Sequence, residues 1–287
     1  MSRRIIIFSV ILAGLLIAGG MSTSVLAQED AEAVTTEADV KAKFKKDSTG
    51  TNPMNFTFDA RLYNEYQWLN TAGDGSQNIT TLEFRAPLGD GKWQFRGKFR
   101  TQSLSADTNN DGSDNVDESG FGDTDLRFMT VPYMNMKKKI ALAPGVEFLL
   151  PTATDPALGS GAWTVAPFIF LGYFNPIGKG SIFVPGYQHF ISIDEDPGRN
   201  QVNRGLIDMF LVKTFAKNQY WAYVDPQIIL DYENSKEFMQ LELQGGMMLD
   251  NLFGVKGHSI WVMPSFGIGS DRPYDTSLEV GYKYVWR

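Results

Sequence analysis

The chain has 287 residues, 13% of them aromatic, with 28 glycines, no cysteine and a formal charge of −7. That length suits one large domain or two small ones. The acidic balance argues against a general nucleic-acid binder, and the lack of cysteine excludes a disulfide scaffold or a thiol site.

Residues 1–27 have the three parts of a secretory signal peptide: a basic start (MSRR), an apolar core IIIFSVILAGLLIA (5–18) and small residues in SVLA (24–27). The apolar core is short for a membrane span, so cleavage after Ala27 is expected, with an uncleaved anchor as the alternative. Residues 28–53 are polar and mixed in charge, and no apolar face runs through them. They read as a periplasmic N-terminal tail, or as a plug inside a pore.

From residue 54 onward the pattern becomes strict alternation. In NFTFDARLYNEYQWL (55–69), Phe56, Phe58, Ala60, Leu62, Tyr66 and Trp68 oppose Asp59, Arg61, Glu65 and Gln67. Successive side chains on a strand point to opposite faces, so this is one long two-faced strand. ITTLEFRAPL (79–88) repeats the phase. In KWQFRGKFR (92–100), Trp93, Phe95, Gly97 and Phe99 oppose Gln94, Arg96, Lys98 and Arg100. The same alternation runs through 122–133, 140–152, 220–233, 238–249 and 276–287. Segments 164–174, 181–193, 204–215 and 258–269 complete a set of twelve; the first two are apolar on both sides, so period alone does not fix their facing.

The spacers alternate too. Those at 88–92, 135–139, 175–180 and 217–219 are short, whereas 104–121, 153–163 and 194–203 are long and polar or Gly-rich. Short turns at one end and long loops at the other are the habit of outer-membrane barrels. The expected fold is therefore all-β: a transmembrane antiparallel up-and-down β-barrel of about twelve strands over 54–287. Its aromatic side faces lipid and its charges face a wet lumen. A soluble sandwich or lipocalin-like barrel would have shorter strands and a polar exterior. The expected surroundings are outer-membrane lipid, lipopolysaccharide and the barrel-assembly machinery. The last strand ends in aromatics, as the assembly signal of such barrels does, although Arg287 follows Trp286.

The inward phase places Arg61 on the first strand and Glu147 on the fifth. Between them lie Arg85, Arg96, Lys98, Arg100 and Arg127, with Glu83 and Asp125 among them. Segments 204–249 contribute Asp208, Asp225, Asp231, Glu233 and Glu242, with no inward base. Two readings follow: opposed charges that set a transverse field across a pore, or a salt-bridge network filling a narrow barrel. Segments 164–174 and 181–193 would line the remaining wall with apolar and aromatic groups, so a solute with a ring and a polar group would find partners.

DTNNDGSDNVDE (107–118) fits a calcium-loop template, with Asp107, Asn109, Asp111, Ser113 and Glu118 at ligand positions. Its flanks are not helical, and a solvated acidic loop is the plainer reading. Otherwise no cofactor is expected. For catalysis, His189 is followed on the next strand by no serine nucleophile. His258 adjoins Ser259 without an orienting acid, so nucleophile, base and orienter do not assemble.

FGDTDLRF (121–128) and GVEFLLPTATDPALGSGAWTVAPF (145–168) resemble the outer-membrane protein family labelled with the meta-pathway of phenol degradation. The resemblance rests on Gly122–Asp123, Pro151–Thr152, Gly159, Gly161 and Pro167, with Ala153 where the family carries Gly. It implies an outer-membrane barrel that passes small, often aromatic, compounds. The functional expectation is a passive channel for small, aromatic or amphiphilic solutes. A plugged structural or adhesive barrel is the alternative, and a phospholipase-like enzyme comes third.

Overall fold

A computed structural model describes residues 49–71, 75–107, 116–250 and 256–286. The expected signal peptide, residues 28–48 of the tail, and Asn109, Asp111 and Ser113 lie outside the described residues.

The strands follow the alternation. They are β1 (Asp59–Leu69), β2 (Ser76–Leu88), β3 (Trp93–Ala106), β4 (Val116–Phe121), β5 (Thr124–Thr130), β6 (Tyr133–Asn135) and β7 (Ile140–Leu150). After a 3-10 turn at Pro156–Leu158 come β8 (Ala162–Phe174), β9 (Ser181–Glu195), β10 (Asn203–Phe215) and β11 (Tyr220–Asp231). The set closes with β12 (Lys236–Met248), β13 (His258–Ile268) and β14 (Tyr274–Val285). β4, β5 and β6 are pieces of one crossing: β4 and β5 both pair with β3, and β6 runs beside β7. The fourteen segments therefore make twelve antiparallel crossings. β1 pairs with both β2 and β14, and β2 with β3, so the sheet closes on itself.

The facing follows from the period of two. Phe58, Leu62, Trp68, Leu82, Phe84, Trp93 and Phe99 lie exposed on the outer wall, while Glu83, Gln94, Asp125 and Glu147 are buried inside. A surface this apolar is matched to hydrocarbon rather than water. Aromatics gather at both ends of the wall. Phe58, Tyr284 and Trp286 pack at the end carrying the short turns, with ring centroids 4.5–4.7 Å apart. Tyr66 packs on Trp68 at the other end.

β8 and β9 settle the facing that the sequence leaves open. Ala162, Thr164, Ala166, Phe168 and Phe170 turn inward; Trp163, Ile169, Leu171 and Tyr173 turn outward. On β9, Ile182, Val184, Gln188 and Phe190 turn inward. Phe168, Phe170, Ile182 and Val184 join Val212, Trp221 and Trp261 in an apolar cluster that fills part of the barrel interior.

Two boundaries differ from expectation. The spacer 104–121 is not all loop, because β3 runs to Ala106 and pairs with β4 from Val116. Residues 117–119 (DES) are polar on both faces, so alternation gives no sign of the strand there. At the start, β1 opens only at Asp59, because the preceding segment turns into the barrel. Met54 is fully buried in the apolar cluster, and Thr49 and Asn55 are buried with it. Asn52 holds that turn, its side chain accepting from the Met54 N–H at 2.9 Å and its carbonyl from the Asn55 N–H at 3.0 Å.

Candidate functional site

The interior encloses a cavity of about 770 Å³. Strand register explains its charged wall. Asp59, Arg85, Arg96, Arg127 and Glu147 stand side by side on β1, β2, β3, β5 and β7, forming one rank of three arginines between two acids. The adjoining rank is Arg61, Glu83, Lys98 and Asp125.

The ranks neutralise each other locally. Arg61 Nε donates to Asp59 at 2.7 Å, Arg85 Nε to Glu83 at 2.5 Å, and Arg100 Nη2 to Asp125 at 2.6 Å. Lys98 Nζ lies 3.9 Å from Glu83. Glu147 receives Arg96 Nη2 and Arg127 Nη2, each at 2.5 Å, and Gln188 Nε2 at 2.7 Å. The salt-bridge reading thus describes this wall: its bases find acids on their own side of the barrel.

The wall opposite differs. Asp208, Asp225 and Glu242 line the cavity there, and Glu279 on β14 and Glu65 on β1 line it where the two walls join. Their donors are neutral: Gln227 to Asp225 at 2.9 Å, Gln240 to Glu242 at 2.7 Å, Gln67 to Glu65 at 3.0 Å and Trp261 Nε1 to Glu279 at 2.6 Å. Among the described residues none of these acids makes a salt bridge.

Of the expected lining residues, Arg61, Glu83, Arg85, Arg96, Lys98 and Arg100 reach the cavity, together with Asp125, Arg127, Glu147, Asp208, Asp225 and Glu242. Asp231 does not. It closes β11 and caps the turn that follows, accepting from the Asn234 backbone N–H at 2.9 Å and Nδ2 at 2.8 Å. Glu233 lies exposed in that same turn. A carboxylate next to Asn in a tight turn is drawn to the turn's own N–H groups, and inward phase stops where the strand stops. The expectation of no inward base on β10–β12 also fails. Arg204 lines the cavity, its guanidinium 4.7 Å from the centroid of the Phe190 ring. It shares the parity of Asp208, so phase was sufficient to find it. Gln188 gave no such signal, being the one amide on a strand apolar on both faces.

Of the calcium-template positions, Asp107 is buried just beyond β3 and Glu118 is exposed on β4. Among the described residues no group of three or more His, Cys, Asp or Glu is placed to hold a metal ion. His258 and Ser259 point to opposite faces: the imidazole packs on Tyr282 and Tyr284, while Ser259 is buried inside.

The motif residues 122–161 come together at the long-loop mouth. Asp123, between β4 and β5, accepts from Ser160 N at 2.7 Å, Ser160 Oγ at 2.8 Å and Ala153 N at 3.2 Å, so one carboxylate ties both ends of loop 151–161. A Cβ on Gly159 would stand 2.5 Å from Asp123 Oδ1, which explains the glycine. Ala153 keeps a negative φ and needs none. Thus held, the loop turns Leu158 into the cavity, where Gln102 Nε2 donates to its carbonyl at 2.9 Å. Asp123→Ala is expected to free the loop at a cost of about 1–2 kcal/mol, given three partly solvated charge-assisted bonds. Limited proteolysis of the folded protein checks this: cleavage within 151–161 should quicken while the rest of the barrel stays resistant.

No family model matches the chain, and no curated relative matches it. Solved structures do. The chain is similar to the COG4313 outer membrane channel from Pseudomonas putida F1, at 14% identity and TM-score 0.64, over 80% of this chain and 96% of that one. It is also similar to the NanC porin (9% identity, TM-score 0.54, 79% and 98% covered) and the KdgM porin (10%, 0.51, 80% and 99%). At such identities the likeness is one of fold: a closed antiparallel barrel.

Proposed function

We propose that the chain is an outer-membrane channel that lets small solutes cross passively, without catalysis. The observation that carries this is the ion-lined cavity of about 770 Å³ inside an apolar-coated barrel. Eight-stranded barrels are filled by their own side chains and sixteen-stranded ones hold open water; a twelve-stranded barrel lies between, with room for a small molecule. The three similar structures carry the names porin or channel, which supports the same reading. On this reading the signal peptide is removed on export, the short turns face the periplasm, and aromatic girdles sit at the lipid headgroups. Phe170 and Phe190, which line the cavity along with Arg127 and Glu147, suit solutes that combine a ring with a polar group.

A second reading, a plugged barrel acting through its outer loops, is favoured by Met54 and Leu158, which narrow the interior from opposite ends. Planar-bilayer recording decides between them. Discrete conductance steps, with liposome swelling faster for substituted phenols or amino acids than for sugars of equal size, are the expected result. A silent bilayer containing correctly folded protein would transfer the case to the plugged barrel.

A further inference from the structure

Among the described residues, the carboxylates of the acidic wall have no positively charged partner within ion-pair distance. Asp225 on β11 stands directly opposite Glu242 on β12, and Asp208 is the diagonal neighbour, since it pairs with Gln227. Opposed side chains on antiparallel strands have Cβ atoms about 4.5–5.5 Å apart, and like charges so placed are destabilising. The amides of Gln227 and Gln240 supply one hydrogen bond each and no charge.

A second observation points the same way. Asp225 is 6% exposed, yet among the described residues no N–H or O–H donates to its Oδ1. Continuing along the register, Glu242 pairs with Ser265 and Ser265 with Ser277. Both serine hydroxyls are buried beside the Tyr274 hydroxyl and add no positive charge to the row. Asp208, Asp225 and Glu242 on three adjacent strands therefore present a row of carboxylate oxygens to the cavity with no positive charge beside them among the described residues.

The spacing selects the ligand. A calcium ion gathers six to eight oxygens around one point, and no three acids among the described residues converge so closely. An ammonium group sends its N–H bonds outward in divergent directions and suits a spread row. Phe210 and Tyr223, with ring centroids 4.9 Å apart, flank the carboxylates on the same inward face and line the same cavity. Aromatic faces attract cations and accept rings. We propose that the lumen binds primary-ammonium solutes carrying an aromatic or alkyl group, the ammonium on Asp225 and Glu242 and the apolar part against Phe210 and Tyr223. This rests on the channel reading only for transport; binding is independent of it.

The test uses the full-length chain in detergent, titrated calorimetrically with benzylammonium and, separately, benzoate. Benzylammonium should bind, be displaced by ethylammonium and not by acetate, and bind at least about tenfold more weakly to Asp225→Asn and to Glu242→Gln, as loss of a charge-assisted bond implies. Each substitution keeps side-chain shape and is made singly; ethylammonium displacement on the unaltered chain serves if a variant does not fold. Equal binding of benzoate, or undiminished binding to both folded variants, overturns the proposal. A chain that conducts but does not bind benzylammonium refutes this site alone. A chain that binds it but never conducts refutes the channel and leaves the site standing.

Discussion

Replacing Glu147 with alanine will destabilise the barrel by about 3 kcal/mol. Register is the cause. Arg96 and Arg127 are directly opposed on β3 and β5, and Glu147 is directly opposed to Arg127 on β7. One carboxylate, its side chain 4% exposed, thus holds two guanidinium groups at once. Removing one member of a buried ion pair leaves an uncompensated charge, at about 3–5 kcal/mol. The low end applies because the cavity admits water to the arginines, whose side chains are 14% and 21% exposed. Gln188 would lose its acceptor at the same time. Urea unfolding in micelles, followed by tryptophan fluorescence, measures the loss. If the cause is the stranded charge, adding Arg127→Met to Glu147→Ala should recover part of it, since only Arg96 then lacks its acid. Recovery of nothing would mean that Glu147 acts by packing instead.

How far such ranks can be read from sequence depends on which face is apolar. On β1–β3 one face is Phe, Leu and Trp and the other Arg, Glu and Lys, so both the strand and its facing are legible, and Arg96 or Glu83 could be placed in the lumen from parity alone. On β8 the run VAPFIFLGYF is apolar on both sides, because its inward face packs on the interior cluster while its outward face belongs to the exposed apolar wall. Parity there carries no information, and Phe168 against Ile169 is settled only by register. The pairing of Glu147 with two arginines was likewise out of reach, because it depends on which strands are neighbours and on their stagger. Asp231 shows the reverse failure: its parity was right, but a turn claimed the carboxylate. The motif at 121–161 signalled a family pattern without saying what it does; its residues meet because Asp123 must reach two points of one loop.

The segment entering the barrel ahead of β1 gives the second large effect. Replacing Thr49–Phe56 by a Gly/Ser stretch of equal length is expected to raise single-channel conductance severalfold. Gly50, Thr51, Pro53 and Met54 line the cavity themselves. The segment is fastened at two points: Arg61 Nη2 donates to the Gly50 carbonyl at 3.0 Å, and Met54 is fully buried in the apolar cluster. A Cβ on Gly172 would stand 3.3 Å from Met54, so the thioether lies against bare β8 backbone and fills the space a side chain would take. A Gly/Ser stretch offers neither the buried methionine nor the Asn52 turn, and it gains nothing from the interior that would offset its chain entropy. It should leave the lumen, and ionic current grows with the cross-section freed. Met54→Ala keeps the Asn52 turn and the Arg61 contact, so its conductance should rise far less. That ordering separates a lodged peptide from a general loosening of the barrel, which would raise noise and lower unfolding resistance in both variants alike. If the Gly/Ser variant conducts no better than the unaltered chain, the constriction lies at Leu158, and the Asp123→Ala variant should be the one that opens it.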